Sequence, residues 1–256
     1  LFVCLIMLLP LSALVMQLSQ MSWAQYWDVI TNPQVVAAYK VTLLSAFVAS
    51  VFNGVFGLLM AWILTRYRFP GRTLLDALID LPLALPTAVS GITLATLYGP
   101  HGWLGSLLAV FGVSVSYNKA GIVLALMFVG LPFGVRAVEP VLRNLPQELE
   151  EAAHLLGARP WQIFVRIIAA PVLPALITGF GLAFARGIGE YGSVIFIAGN
   201  QPFKSEIAPL LIVVRLQEFD YPGATAIALV LLCVSLFSLA LIGGVRRRFA
   251  VWSEPA

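Results

Sequence analysis

Six stretches of this chain are long and apolar enough to cross a lipid bilayer, and that pattern limits its fold more than anything else in the sequence. They run over residues 1–18, 40–64, 76–98, 120–138, 172–197 and 223–245. A span needs about 20 residues at a rise of ~1.5 Å each. Inside hydrocarbon every backbone N–H and C=O must find its partner within the protein, which a helix achieves within one segment. Hydrophobic residues make up 60% of the 256 and charged residues only 11%, against about 25% charged in an ordinary soluble domain. The chain is therefore expected to form one all-α membrane domain of six transmembrane helices over 1–256.

Charge sets the direction of the spans. The net charge of +3 would suit a nucleic-acid partner, but the basic residues gather in short clusters beside apolar runs, a distribution that orients membrane proteins instead. Arg66, Arg68 and Arg72 follow the second span. Arg143, Arg159 and Arg166 follow the fourth, with Arg136 at the start of that connection, and Arg246, Arg247 and Arg248 follow the sixth. With six spans these clusters share one side, which the positive-inside rule makes cytoplasmic. Both termini are thus expected inside the cell. The opposite connections hold isolated Lys40, Lys119, Lys204 and Arg215, together with Trp23, Tyr26, Trp27, Tyr98, Trp103, Tyr117 and Tyr221, whose amphipathic rings suit the outer interface. Residues 1–18 have no basic flank and precede further spans, so they are read as a first transmembrane helix and not as a signal peptide. Cys4 and Cys233 stand alone in apolar stretches and are expected to pack.

The connection over 139–171 is a polar insert that reads as two short helices joined at a glycine. Pro146 suits the first position of a helix, and Glu148, Glu150 and Glu151 complement its positive end. Ala152, Ala153, Leu155 and Leu156 favour helix until Gly157 permits a turn. Beyond Ala158 and Arg159, Pro160 restarts a helix in which Trp161, Phe164, Val165 and Ile168 recur at three- and four-residue spacing. Such a surface on a membrane protein suits a grip on something soluble, with Glu150, Glu151, Ala152, Ala153, Gly157, Ala158 and Arg159 as its residues. The alternative is an amphipathic loop lying on the membrane. A DNA-reading helix-turn-helix is excluded, because duplex DNA would have to reach the membrane and there is no separate basic domain.

Two spans are irregular. The third carries Pro82 and Pro86, each removing a helical donor, so it is expected to bend. Its freed carbonyls would face protein or a water-filled path, and simple tolerance of proline in a membrane helix is the competing explanation. The fifth carries Arg186 and Glu190, four apart and so able to pair on one face. Burying either alone is costly. The pair is either a structural tie or part of an anion path, where the guanidinium fork fits a tetrahedral oxyanion and Gly187, Gly189 and Gly192 let backbone approach closely. The segment 202–222 is too polar for a span, and its apolar portion 207–216 is expected to form a short interfacial or re-entrant helix.

Glu151-Ala152-Ala153, three residues, Gly157 and, after nine more, Ile167 resemble the EAA loop of permease subunits in bacterial ABC importers. The resemblance implies the type I importer permease fold, with this loop as a coupling helix that docks into a groove on a cytoplasmic ATPase. One departure stands out. The family pattern has a leucine and a proline soon after the isoleucine, whereas here Ala169 and Ala170 stand there and Pro171 follows one place late, so the direction of the helix is expected to differ slightly. The run from Glu190 to Asn200, the stretch from Leu81 to Gly91 and the loop Arg68-Phe69-Pro70-Gly71-Arg72 are similar to T-type permeases of the sulfate and thiosulfate branch. Molybdate permeases more often have phenylalanine after the glutamate. The likeness implies a multi-pass protein of the bacterial inner membrane that passes sulfate or thiosulfate inward between two permeases. Its implied partners are a homologous second permease, two copies of the ATPase, membrane lipid, and a periplasmic or other extracytoplasmic sulfate-binding protein.

No Gly-x-x-x-x-Gly-Lys-Ser/Thr loop occurs, so ATP must be bound by another polypeptide. His101 and His154 are too far apart in sequence to suggest a metal pair, and Asp76 and Asp80 alone do not establish hydrolytic chemistry. No catalytic residue, metal ligand or cofactor is expected in this chain. Three other readings compete. An ion-coupled secondary transporter could use Arg186, Glu190 or Asp80, but such folds often show inverted repeats, and they do not need the surface from Glu151 to Gly157. A membrane scaffold would leave the proline-broken span and the internal charges unexplained. An importer of molybdate, tungstate or phosphate differs only in cargo, and much of that selectivity would sit in the delivery protein.

Overall fold

The computed structural model describes residues 6, 9, 12–14 and 16–250, and every regular element among them is a helix. The expected first span, 1–18, lies largely outside the described residues, as does Cys4. A short helix α1 (Trp23–Thr31) is followed by the 34-residue α2 (Pro33–Arg66), in which Pro33 fills the first position and the Asn32 side chain accepts from the Gln34 N–H at 3.0 Å. Three more helices match it as continuous spans: α6 (Lys119–Asn144), α8 (Pro160–Ile188) and α11 (Tyr221–Ala250). Asn118 opens α6 by accepting from the Ala120 N–H at 2.8 Å.

The third expected span divides in two. Helices α3 (Arg72–Ala84) and α4 (Thr87–Tyr98) meet at 113°. The break falls at Leu85, whose backbone is extended, the conformation a residue before proline prefers. Pro86 therefore sets the corner, while Pro82 is accommodated inside α3 and buried. This pair and the four continuous helices correspond to five of the six expected apolar stretches.

Two expectations need correction. The fifth span ends at Ile188 and not at residue 197, because the chain turns through Gly189–Gly192 before a single helical turn, α9 (Val194–Ile197). The short helix expected within 202–222 exists as α10 (Ala208–Gln217), packed against α2 and α11. Ala208, Pro209 and Leu211 are buried, and the Ala208 N–H donates to Thr42 Oγ1 of α2 at 2.9 Å. A further short helix, α5 (Trp103–Val110), occupies the connection between α4 and α6. Cys233 is exposed on α11, contrary to the packing role expected of it.

Helices α2 and α6 form the centre, with α8 against both, α11 against α8 and α10, and α3 against α6. Their core is in two parts. One surrounds Ile122, Ile188, Ile197, Ile207 and Ile227. The other, around Leu64, Ile79, Leu142, Ile163 and Ile168, lies at the end of the bundle where Arg66, Arg72 and Arg143 cluster. That end is called the basic end below.

Candidate functional site

At the basic end, helix α7 (Gln147–Leu155) leads into the first turn of α8. Pro146 precedes α7 as its cap and does not occupy its first position. The turn after α7 is closed by two backbone bonds: the Gly157 N–H donates to the His154 carbonyl at 2.9 Å, and the Ala158 N–H donates to the Ala153 carbonyl at 3.0 Å. This pattern needs a left-handed residue between the helices, and Gly157 supplies it at φ +80°. On the other side, Gln162 accepts from the Arg159 N–H at 2.8 Å and fixes the start of α8. The result is a rigid knob with Leu155 and Leu156 each 89% exposed at its tip. Beside them a groove of about 400 Å³ is lined by Ala153, Leu156, Gly157, Gln162 and Arg166.

The seven residues expected to form the gripping surface are brought together but do not all face outward. Glu151, Ala152, Gly157 and Arg159 are exposed, whereas Ala153 and Ala158 are half-buried against the core of the basic end. Glu150 turns inward, its Oε1 2.6 Å from Arg66 Nη2. Arg66 also donates from Nη1 to the Leu142 carbonyl at 3.1 Å and from Nη2 to the Leu145 carbonyl at 3.3 Å, and it lies 6.0 Å from the Trp62 ring. The sequence had marked Arg66 only as a topology signal.

A second charged cluster joins α3 to α6. Arg136 donates from Nε and Nη2 to the two carboxylate oxygens of Asp80, at 3.0 and 2.6 Å. Its Nη1 pairs with Asp76 at 2.7 Å and with the buried Glu139 at 2.5 Å, and the other Glu139 oxygen takes Arg143 at 2.5 Å. Sequence reasoning placed none of these five residues in the importer's site, and Asp80 entered only the competing ion-coupled reading. The available signal was an arginine inside an apolar run, which must find partners, and two aspartates one helical turn apart on the preceding span.

The Arg186–Glu190 pair forms as the spacing predicts, at 2.5 Å. Its halves differ: the Arg186 side chain is 38% exposed and the Glu190 side chain 2%. The second Glu190 oxygen accepts from both the N–H and the hydroxyl of Ser193, each at 3.0 Å. The carboxylate is thus committed to the turn between α8 and α9, while the guanidinium keeps an open side. That turn packs on the corner made by Pro86. A Cβ at Gly91 would lie 2.5 Å from the Ser193 carbonyl oxygen, and one at Gly192 would lie 2.2 Å from Thr87 Oγ1. The close approach expected at Gly187, Gly189 and Gly192 is therefore found at Gly192 and, against Ala46 of α2, at Gly187, whereas Gly189 faces open space. Pro82 lies on the other arm, in α3.

Residues 53–251 match the family described as binding-protein-dependent transport system inner membrane component. The chain is 65% identical over 249 residues to the sulfate transport system permease protein CysT of Escherichia coli (strain K12), covering 97% of this chain and 90% of that protein. It is 46% identical over 241 residues to the sulfate transport system permease protein CysT of Synechocystis sp., covering 94% and 84%. Among solved structures, a bacterial ABC transporter involved in the import of the acidic polysaccharide alginate matches with a TM-score of 0.79 at 19% identity, over 96% of this chain and 92% of that chain. The inward-facing MetNI methionine ABC transporter matches with a TM-score of 0.58 at 21% identity, over 92% and 100%. The helical architecture is that of ABC importer permeases.

Proposed function

Because this chain belongs to the family of binding-protein-dependent transport system inner membrane components, we propose that it is a permease subunit of an ATP-driven importer that carries sulfate into the cytoplasm. The observation that carries the coupling mechanism is the knob at the basic end: two fully presented leucines on a turn held rigid by backbone bonds. An exposed apolar pair on a stiff mount needs a cover, and the groove of a cytoplasmic ATPase supplies one. Burying a leucine side chain is worth about 1.5–3 kcal/mol, so the two leucines would contribute much of the docking affinity. The cargo rests on the 65% identity to a sulfate permease, with thiosulfate as a second oxyanion of the same class.

In this reading the chain works as one unit over 1–256, with 139–171 as its coupling segment and both termini in the cytoplasm. Glu151, Ala152, Gly157 and Arg159 meet the ATPase, and Ala153 and Ala158 seat the knob on the bundle. A homologous permease forms the other wall of the path, and a sulfate-binding protein delivers solute from outside. ATP is bound by the partner subunits, and its binding biases two conformations through contacts that differ between them. Arg186, held by Glu190 beside the Pro86 corner, presents its open side to the anion, and the arm carrying Pro82 moves against α6 as the path opens and closes.

The test is Leu155→Asp combined with Leu156→Asp in the assembled importer. The substituted permease is expected to lose the ATPase on co-purification and, with it, ATP-dependent sulfate uptake in proteoliposomes. Retention of the ATPase with normal uptake would overturn the coupling role of the knob.

A further inference from the structure

We propose that Arg66 is the positioning residue that carries motion of the knob into the bundle, an inference that rests on the coupling function proposed for α7. One guanidinium here joins three elements. It belongs to the last turn of α2, it donates to the Leu142 and Leu145 carbonyls where α6 ends, and it pairs with Glu150 in the first turns of α7. Each connection has a separate physical basis. The last carbonyls of a helix lack intrahelical donors and carry the negative end of its dipole, so they favour a cation. The first turn of a helix favours an anion, which Glu150 provides, and the Arg66 guanidinium meets that anion as an ion pair without a hydrogen bond between them.

Burial turns this arrangement from a surface ion pair into a strut. The Arg66 side chain is 9% exposed and that of Glu150 19%, so solvent screening that makes exposed pairs nearly worthless is largely excluded. The chain between α6 and α7 is only Leu145 and Pro146, and it links the knob to α6 alone. Without Arg66, a displacement of α7 would reach α2 only indirectly, through the packing of α2 on α6 around Gly57, Gly134 and the Asn53–Leu126 hydrogen bond farther along the bundle. With it, α2, α6 and α7 share a charged joint, and a push on the knob moves both central helices together. Lysine could not replace it, because a single ammonium cannot hold two carbonyls and a carboxylate with the fixed geometry of a guanidinium.

The inference is tested by measuring sulfate imported per ATP hydrolysed in proteoliposomes containing the complete importer, for Arg66→Gln, Arg66→Lys, Glu150→Gln and the Arg66→Gln/Glu150→Gln double variant. Only complexes that retain the ATPase are compared, so loss of folded material does not enter the ratio. Arg66→Gln and Glu150→Gln are each expected to lower the ratio about fivefold or more, the scale of a small coupling free energy. The double variant is expected to be no worse than Arg66→Gln, because both substitutions break the same joint, and Arg66→Lys is expected to remain impaired. A wild-type ratio in Glu150→Gln, or two effects that multiply in the double variant, would overturn the assignment. If Arg66→Gln does not assemble, Glu150→Gln alone decides. Leu155→Asp separates the two levels of the argument: loss of the ATPase there, with a normal ratio in Glu150→Gln, removes only the role of Arg66. Normal behaviour of both removes the coupling reading itself.

Discussion

The charges of the Arg186–Glu190 pair are housed unequally, and that inequality determines what each residue can do. Glu190 is enclosed and bonded to Ser193, whereas Arg186 is more than one-third exposed. Replacing the arginine strands a buried carboxylate on a turn, while replacing the glutamate leaves a guanidinium that can still reach outward. Arg186→Gln is therefore expected to destabilise the protein by about 1–3 kcal/mol more than Glu190→Gln, since an uncompensated buried charge costs more than a lost partner at a half-open position. Thermal unfolding of the two purified variants measures this difference, and equal losses would contradict it. In assembled complexes, lowered sulfate uptake by Arg186→Gln places the residue beside the path, and unchanged flux at limiting sulfate makes the pair purely structural. The pairing was legible from the sequence because helix geometry puts residues four apart on one face. The unequal burial was not, since it depends on α4 coming close enough for Gly91 to meet Ser193, a contact between segments far apart in the chain. Gly157 was legible for the opposite reason: its turn is local, and a helix stop followed by Pro160 leaves few other conformations.

Among elements, the joint between α3 and α6 is the feature that periodicity alone could not reveal. Asp76 and Asp80 define one face of α3, and Arg136 lies within an apolar run, but their pairing requires α3 to pack beside α6. Arg136→Gln is expected to be the most damaging substitution in this cluster, at about 1–3 kcal/mol, because both aspartates lose their cation and the buried Glu139 is left with Arg143 alone. Asp76→Asn should cost much less, since Arg136 keeps Asp80 and Glu139. Chemical or thermal denaturation of detergent-solubilised variants gives that order, and equal effects would show that the cluster is not held through Arg136. The corner at Pro86 was anticipated as a bend, and its location follows from the restriction proline places on Leu85. Its angle, which divides the span into two helices, comes from the packing of α4 on α9. The late position of Pro171 has a structural counterpart too: residues 164–168 form a π-helical turn, which takes one extra residue into a helix. The additional position before Pro171 is thereby absorbed within α8 without breaking it.

For the whole molecule, composition and the length of the apolar runs were enough to specify a helical membrane protein, because hydrocarbon leaves the backbone so few alternatives. The spans from 40 onward are found as helices at close to their expected places, with the fifth cut short by the glycines and Glu190 near its end. The positions of α10 and of Arg66 depend on tertiary partners, Thr42 for one and Glu150 with two carbonyls for the other, and no local pattern records them. The same molecule presents an apolar knob at its basic end, and in the function proposed above its work comes from a partner ATPase. The most direct test is the initial rate of sulfate uptake into proteoliposomes carrying the permease pair and supplied with the binding protein, measured with and without the ATPase and ATP under an imposed ion gradient. Uptake is expected only when ATPase and ATP are both present, whatever the gradient. Sustained gradient-driven uptake with the ATPase absent would contradict the coupling of transport to a separate motor.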